Sequence, residues 1–210
     1  MDGAVRRARL ARSRLYLVLE ARPHGRDPAA LLDAAMRGGV DIVQLREKEL
    51  TDDQLVHAAA PFREACERHG ALFVLNDRPD LVESCGADGV HVGREDTPPE
   101  EARALVGSER LVGLSAEIEA ELTGDGDYFG VGAVFGTPTK PESPPGGLEL
   151  VRAARARLSV PWFAIGGIEL ANVAEVVAAG APGVAVVRAI RDARDPEAAA
   201  RELRAALPDG

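Results

Sequence analysis

Two aspartates and two lysines are the residues of this chain whose types point most directly to chemistry. Asp77 and Asp96 each follow a short apolar run, and paired carboxylates are typical Mg²⁺ ligands beside water and phosphate oxygens. Lys48 and Lys140 are the only lysines among the 25 basic residues. Because lysine is a compact point charge and arginine a planar fork, these positions indicate a specific need, such as phosphate contact. The alternative for each aspartate is capping of the next helix.

Other polar or glycine residues also follow apolar runs. The Gly166-Gly167 pair precedes a predicted helix, where backbone N–H groups can hold a phosphate. No Ser/His/Asp arrangement and no nucleophilic cysteine context accompanies these residues. The expected site therefore has metal-binding, cationic and phosphate-binding character. Its remaining candidates are Gln44, Arg46, Asn76, Ser115, Thr137, Thr139, Val187 and Arg188.

Eight short apolar runs must position these residues. Near-continuous apolar runs of this length are typical of parallel strands that are covered on both faces. They recur along the chain at intervals that leave room for a helix between most of them. The runs are LYLVL from Leu15, DIVQL from Asp41, LFVL from Leu72, DGVHV from Asp88, LVGLS from Leu111, YFGVG from Tyr128, WFAI from Trp162 and GVAVV from Gly183.

The segments between the runs have helical spacing, and several begin with Asp or Pro and end with Gly. The segment AEIEAEL from Ala116 is the shortest of them. Eight strand–helix units predict an α/β fold, a single (β/α)₈ TIM barrel over residues 15–210, with its chemistry at the carboxyl ends of the strands. Residues 1–14 are expected to be an Arg-rich extension or the start of a helix. A doubly wound open sheet is the alternative, but no GxGxxG motif opens the first helix.

Composition narrows the class of partner. The net charge is -9 and the pI is about 5.0, which argues against broad binding of nucleic acid or anionic membranes. No stretch approaches a membrane span, and the two cysteines lack metal-ligand spacing. We expect a cytoplasmic enzyme with small-molecule substrates. His91 is expected to be a hydrogen-bonded residue of the barrel interior rather than a ligand.

The motifs of this chain resemble those of the thiamine phosphate synthase family. The likeness runs in order from about Leu15 to Leu207. The matching stretches are QLREK (44–48), NDR (76–78), GADGVHVGREDTP (86–98), GLS (113–115), GVGAVFGTPTK (130–140), AIGGI (164–168) and VAVVRAI (184–190).

The resemblance implies a transferase that joins 4-amino-2-methyl-5-(diphosphooxymethyl)pyrimidine to a thiazole phosphate, releasing diphosphate. It implies Mg²⁺ as the cofactor, held by Asp77 and Asp96. The pyrimidine diphosphate would be held by Gln44, Arg46, Lys48, Asn76, Ser115 and Lys140, of which Lys48, Ser115 and Lys140 would be catalytic. The thiazole phosphate would be held by Thr137, Thr139, Gly166, Gly167, Val187 and Arg188.

Two positions depart from the family pattern. Glu117 stands where a histidine is common, and Val187-Arg188 stands where Ile-Ser is common. If Arg188 points inward, it could bind a phosphate as a bidentate fork. The alternatives are a thiazole tautomerase of the same superfamily, which would not need the metal corner, and a non-catalytic phosphate-sensing barrel. Whether the chain forms a homo-oligomer is left open.

Overall fold

A computed structural model of the chain describes residues 1–136 and 145–209. Eight parallel strands pair in chain order and close into a barrel, with the last strand beside the first. The predicted TIM barrel is confirmed, and each predicted apolar run coincides with one strand to within one residue at either end. The strands are β1 Leu15–Leu19, β2 Ile42–Leu45, β3 Leu72–Asn76, β4 Gly89–Val92, β5 Leu111–Ala116, β6 Tyr128–Val131, β7 Trp162–Ile165 and β8 Val184–Val186.

Helices cover the outside of the barrel because their apolar faces pack on the outward strand residues. The longest, α3, begins at a Thr51–Gln54 capping box and ends at Gly70 in the left-handed conformation. The helices are α1 Gly3–Arg12, α2 Ala29–Arg37, α3 Asp52–His69, α4 Val82–Cys85, α5 Pro99–Val106, α6 Gly147–Arg157, α7 Val173–Ala178, α8 Arg188–Arg191 and α9 Pro196–Ala205.

Between β5 and β6 the chain forms only a 3₁₀ turn at Glu119–Glu121. This is the short AEIEAEL segment, whose few residues leave no length for a packed α-helix. In the described part of the chain, no helix is long and apolar enough to cross a membrane.

The inside of the barrel is filled by alternate strand residues, as the period of two requires. Its lower layers are apolar and include Tyr16, Ile42, Leu72, Tyr128 and Phe163. Toward the carboxyl ends the same alternation places polar residues inside. Asn76 is in register with His91, and Ser115 is in register with Gly130.

The Arg-rich segment forms helix α1, which closes the amino-terminal end of the barrel. Leu10 packs into the interior cluster. Arg6 Nε donates to Asp88 Oδ1 at 2.9 Å, and Arg7 Nε donates to Asp127 Oδ1 at 3.0 Å. Asp88 and Asp127 immediately precede β4 and β6 and also accept backbone N–H groups of β3 and β5. The basic residues therefore tie α1 to the strand starts.

Candidate active site

A cavity of about 150 Å³ opens at the carboxyl ends of the strands. It brings together most of the site residues predicted from the sequence, and Glu117 lies there too. The predicted residues that line it are Gln44, Arg46, Asn76, Ser115, Gly166, Gly167, Val187 and Arg188.

Lys48, Asp77 and Asp96 form a charged corner next to Asn76. Lys48 Nζ lies 3.8 Å from Asp77 Oδ2, and the Asn76 amide donates to the same oxygen. Asp96 Oδ2 accepts from the backbone N–H of Gly93 at 3.0 Å. The helices that follow receive no side-chain cap from either aspartate, since α4 and α5 begin after Leu81 and Pro98. The capping alternative is therefore wrong.

The two carboxyl groups of this corner lie within hydrogen-bonding reach of each other. Partial burial and the neighbouring Asp96 carboxylate raise the pKa of Asp77 to about 6, while Lys48 and Asn76 act in the opposite direction. Within residues 1–136 and 145–209 no group of three His, Cys, Asp or Glu could hold a metal ion. One or two carboxylates with water and phosphate oxygens are what Mg²⁺ takes in proteins. The donor set therefore fits Mg²⁺ better than a metal that needs a protein cage.

Gly166 and Gly167 form the turn after β7. Both have positive φ, 104° and 63°, and a Cβ on Gly166 would lie 2.6 Å from the Cα of Ala133. Only glycine allows this turn to approach the end of β6 so closely. The glycines therefore present their backbone directly to the cavity.

The helix after this turn begins later than predicted. Asn172 donates from its side chain to Gly167 O and accepts from Glu169 N, which holds residues 167–172 in a turn. Helix α7 begins only at Val173. A helix does follow the glycine pair, as predicted, but the pair does not lie in its first turn. The short extra helix α8, which the sequence did not predict, begins directly after β8.

Arg188, the first residue of α8, lines the cavity on the side of the glycine turn. Its Nη2 lies 3.8 Å from Glu169 Oε1, and its side chain is 41% exposed. The guanidinium is thus close enough to solvent to exchange this loose ion pair for an anion. Loops after β7 and β8 with a short extra helix form the place where TIM barrels frequently bind phosphate.

A hydrogen-bonded chain of side chains that the sequence did not predict runs along the wall of the cavity. It joins Gln44 to Tyr16, Tyr16 to Tyr128, Tyr128 to His91 and His91 to Ser115. His91 is therefore a hydrogen-bonded residue of the barrel interior, as predicted. The tyrosines were missed because both stand within apolar runs, although they are the only two tyrosines in the chain.

Thr137, Thr139 and Lys140 lie outside the described residues. Their predicted contacts with the thiazole phosphate and the diphosphate stay predictions. Gly136, the residue directly before this segment, lies next to the glycine turn. A Cβ on Gly167 would lie 3.0 Å from Gly136 O.

Several known proteins of similar sequence are described as thiamine-phosphate synthases. A family model described as thiamine monophosphate synthase matches residues 15–190. The chain is 48% identical to the thiamine-phosphate synthase of Thermobifida fusca, covering 99% of this chain and 97% of that protein. It is 47% identical to the thiamine-phosphate synthase of Acidothermus cellulolyticus, covering 96% of this chain and 98% of that protein.

Among solved structures, the thiamine phosphate pyrophosphorylase of Pyrococcus furiosus superposes with a TM-score of 0.85 at 30% identity, covering 94% of this chain and 96% of that one. A 3-hexulose-6-phosphate synthase, 22% identical over 93% of this chain and 100% of that chain with a TM-score of 0.62, shares the fold. By the extent of the family match and the identity to full-length relatives, the chain belongs to the thiamine monophosphate synthase family.

Proposed function

We propose that the chain condenses 4-amino-2-methyl-5-(diphosphooxymethyl)pyrimidine with a thiazole phosphate to give thiamine phosphate and diphosphate. Near-full-length relatives at 47–48% identity are named for the synthesis of thiamine phosphate. The cavity has a charged corner on one side and a glycine turn with Arg188 on another. Two separate places for phosphate groups suit two phosphorylated substrates.

The charged corner is assigned to the departing diphosphate. Lys48 and Arg46 bring positive charge to the same rim as Asp77 and Asp96. When bound by these aspartates, Mg²⁺ supplies charge that stabilises the diphosphate as it leaves. Lys48 and Arg46 hold the diphosphate oxygens in place as negative charge develops on them. Fixed cations in a partly dehydrated site stabilise such charge without reorganising during the reaction.

The interior polar residues are assigned to the pyrimidine. Gln44 and Ser115 line the cavity, and Gln44 is only 4% exposed. Once diphosphate leaves, the pyrimidine carries a benzylic-type cation, which the thiazole nitrogen attacks. A dissociative substitution of this kind needs alignment of two substrates and charge stabilisation rather than a protein nucleophile.

The observation that carries the proposal is the proximity of Lys48, Asp77 and Asp96 at the rim of the cavity. A thiazole tautomerase would act on one substrate without leaving diphosphate, and would have no use for that corner. A phosphate-sensing barrel would need only the glycine turn.

The test incubates purified protein with Mg²⁺ and with each substrate alone or with both. Diphosphate and thiamine phosphate are expected only when both substrates are present. Interconversion of the thiazole phosphate alone, without condensation, would establish the tautomerase instead. Binding of the thiazole phosphate without turnover of either kind would establish the sensing barrel.

Lys140 tests the part of the proposal that rests on the family pattern. Lys140→Ala is expected to lower kcat by about 100-fold or more, the effect of losing one fixed cation that meets developing charge. Circular dichroism and Tm are expected to match the unsubstituted protein. Arg152→Ala, which removes an exposed cation on α6, is the control. Near-normal turnover in Lys140→Ala would remove this residue from the site.

A further inference from the structure

Five side chains form a continuous hydrogen-bonded path inside the barrel, and all of them except Tyr128 line the cavity. The path starts at Gln44 on β2 and ends at Ser115 on β5. Its successive distances are 2.8 Å from Gln44 Nε2 to Tyr16 OH, 3.0 Å to Tyr128 OH, 3.3 Å to His91 Nδ1 and, across the ring, 3.0 Å from His91 Nε2 to Ser115 Oγ.

Tyr128 is the middle of this path and does not line the cavity. Its ring is fully buried. The barrel makes room for it with Gly113 on β5, since a Cβ there would lie 2.1 Å from Cζ of Tyr128. A residue that is held in this way without reaching the cavity acts on substrate only through its neighbours.

Counting the hydrogens that each group can donate assigns a direction to the path. Burial raises the pKa of Tyr16 and Tyr128 above the usual range, so each stays a phenol with one hydrogen to donate. Gln44 Nε2 donates to Tyr16 and cannot accept from it, so the direction that uses every contact of the path sends the hydrogen of Tyr16 to Tyr128. The hydrogen of Tyr128 then goes to His91 Nδ1.

The direction continues to the cavity wall. With Nδ1 accepting from Tyr128, Nε2 is the ring nitrogen that carries the hydrogen donated to Ser115 Oγ. The hydroxyl hydrogen of Ser115 is then available to the cavity. At the other end of the path, the NH₂ group of Gln44 donates to Tyr16. The carbonyl oxygen of Gln44 is therefore the group that can accept a hydrogen bond from a molecule in the cavity. The cavity wall at Gln44 therefore accepts a hydrogen bond, and the wall at Ser115 donates one.

We propose that Tyr128 is a positioning residue that fixes this hydrogen-bond direction and so makes the cavity select a 4-aminopyrimidine over its 4-oxo counterpart. The inference rests on the proposed function. An aminopyrimidine offers an amino donor and ring-nitrogen acceptors, which match an accepting and a donating wall. A 4-oxopyrimidine offers an acceptor and a ring N–H in their place. Binding it equally well would require all five residues to reverse their donors and acceptors together.

The test compares the 4-amino and 4-oxo forms of 2-methyl-5-(diphosphooxymethyl)pyrimidine as substrates with a saturating thiazole phosphate and Mg²⁺. Tyr128→Phe keeps the ring but divides the path, so each half can turn independently. We expect the ratio of kcat/KM for the two pyrimidines to fall at least about tenfold, the effect of one hydrogen bond. KM for the thiazole phosphate is expected to stay within about twofold. Tyr16→Phe, which divides the path at its neighbour, is expected to give the same loss.

A double substitution separates positioning from packing. In a Ser115→Ala background one end of the path is already gone, so Tyr128→Phe should cost less than about threefold more, because coupled residues are not additive. Phe62→Leu is the control, since Phe62 packs on Phe73 in the cluster outside the barrel. It should lower Tm and leave the selectivity ratio unchanged.

Several outcomes would overturn the inference. Equal losses for both pyrimidines in Tyr128→Phe would show a packing role only. A full multiplicative cost in the Ser115→Ala background would show that Tyr128 does not act through the path. Wild-type protein that condenses neither pyrimidine overturns the proposed function and this inference with it, whereas wild-type condensation with unchanged selectivity in Tyr128→Phe overturns the inference alone.

Discussion

Asp77 carries both backbone strain and an unfavourable charge contact. Its φ of 59° lies in the left-handed region, which costs a non-glycine residue about 1–2 kcal/mol. Its N–H donates to His91 O at 2.9 Å, which holds the residue in this conformation. Its carboxyl lies against that of Asp96. Residues that oppose stability in this way are typical of functional sites.

Asp96→Asn is expected to raise the Tm of the metal-free protein at pH 7.5 while lowering turnover by orders of magnitude. The folded-state pKa of Asp77 is raised to about 6, so the charge contact opposes folding above that pH and disappears as Asp77 takes up a proton. The gain in Tm should therefore fade as the pH falls through about 6. A change of about 1 kcal/mol corresponds to about 2–4 °C in a domain of this size. Thermal melts with and without Mg²⁺ measure it.

Glu95→Gln is the matched control for that prediction, because Glu95 is the exposed neighbour of Asp96. It should change neither Tm nor turnover. Mg²⁺ should raise the Tm of the unsubstituted protein and of Glu95→Gln but not of Asp96→Asn. A lower Tm for metal-free Asp96→Asn would contradict the repulsion.

Lys48→Arg tests whether the rarity of lysine in this chain is functional. The Lys48 ammonium group lies 3.8 Å from Asp77 Oδ2 at the rim. A planar guanidinium keeps the charge but cannot occupy the same compact position. We expect kcat to fall about tenfold or more, with Arg94→Lys, an exposed cation near the same rim, as the control. Steady-state kinetics with the pyrimidine diphosphate measure this, and equal activity of Lys48→Arg would show that charge alone suffices.

At the scale of elements, the strands could be predicted because parallel barrel strands are apolar on both faces and so leave continuous runs in the sequence. The site residues that end these strands followed from the same pattern. The path through Tyr16 and Tyr128 could not be predicted, because it depends on contacts across the barrel between β1 and β6. Helix α8 was missed since four residues give no periodicity.

The turn after β7 gives the prediction at this scale. In Gly167→Ala the new Cβ would lie 2.8 Å from the Cβ of Phe135, and φ would stay at 63°. The turn must shift away from the end of β6, so KM for the thiazole phosphate should rise about tenfold or more while KM for the pyrimidine diphosphate changes little. Gly107→Ala is the control, because Gly107 also has positive φ but open space around it. Equal changes in both KM values would indicate general disorder of the site.

Across the whole molecule, the two ends of the barrel differ in structure and in role. The carboxyl-terminal end holds the polar cavity, whereas the amino-terminal end is closed by α1. In TIM barrels the former end carries catalysis and the latter stability. The closed ring of eight strands separates the ends by several layers of packed side chains, so loosening one end need not move the other.

Arg6→Ala should therefore destabilise the barrel without altering its substrate affinity. The Arg6 side chain is 9% exposed and donates to Asp88 and to Glu109 O, so its loss leaves a largely buried carboxylate without its cation. Losing one partner of such a pair costs about 3 kcal/mol, which lowers Tm by about 6–12 °C at this chain length. KM for both substrates should stay within about twofold at 25 °C, and Arg12→Ala, an exposed arginine on the same helix, should change neither quantity. A change in either KM that accompanies the loss of Tm would show that α1 influences the cavity through the barrel, contrary to the division of the two ends.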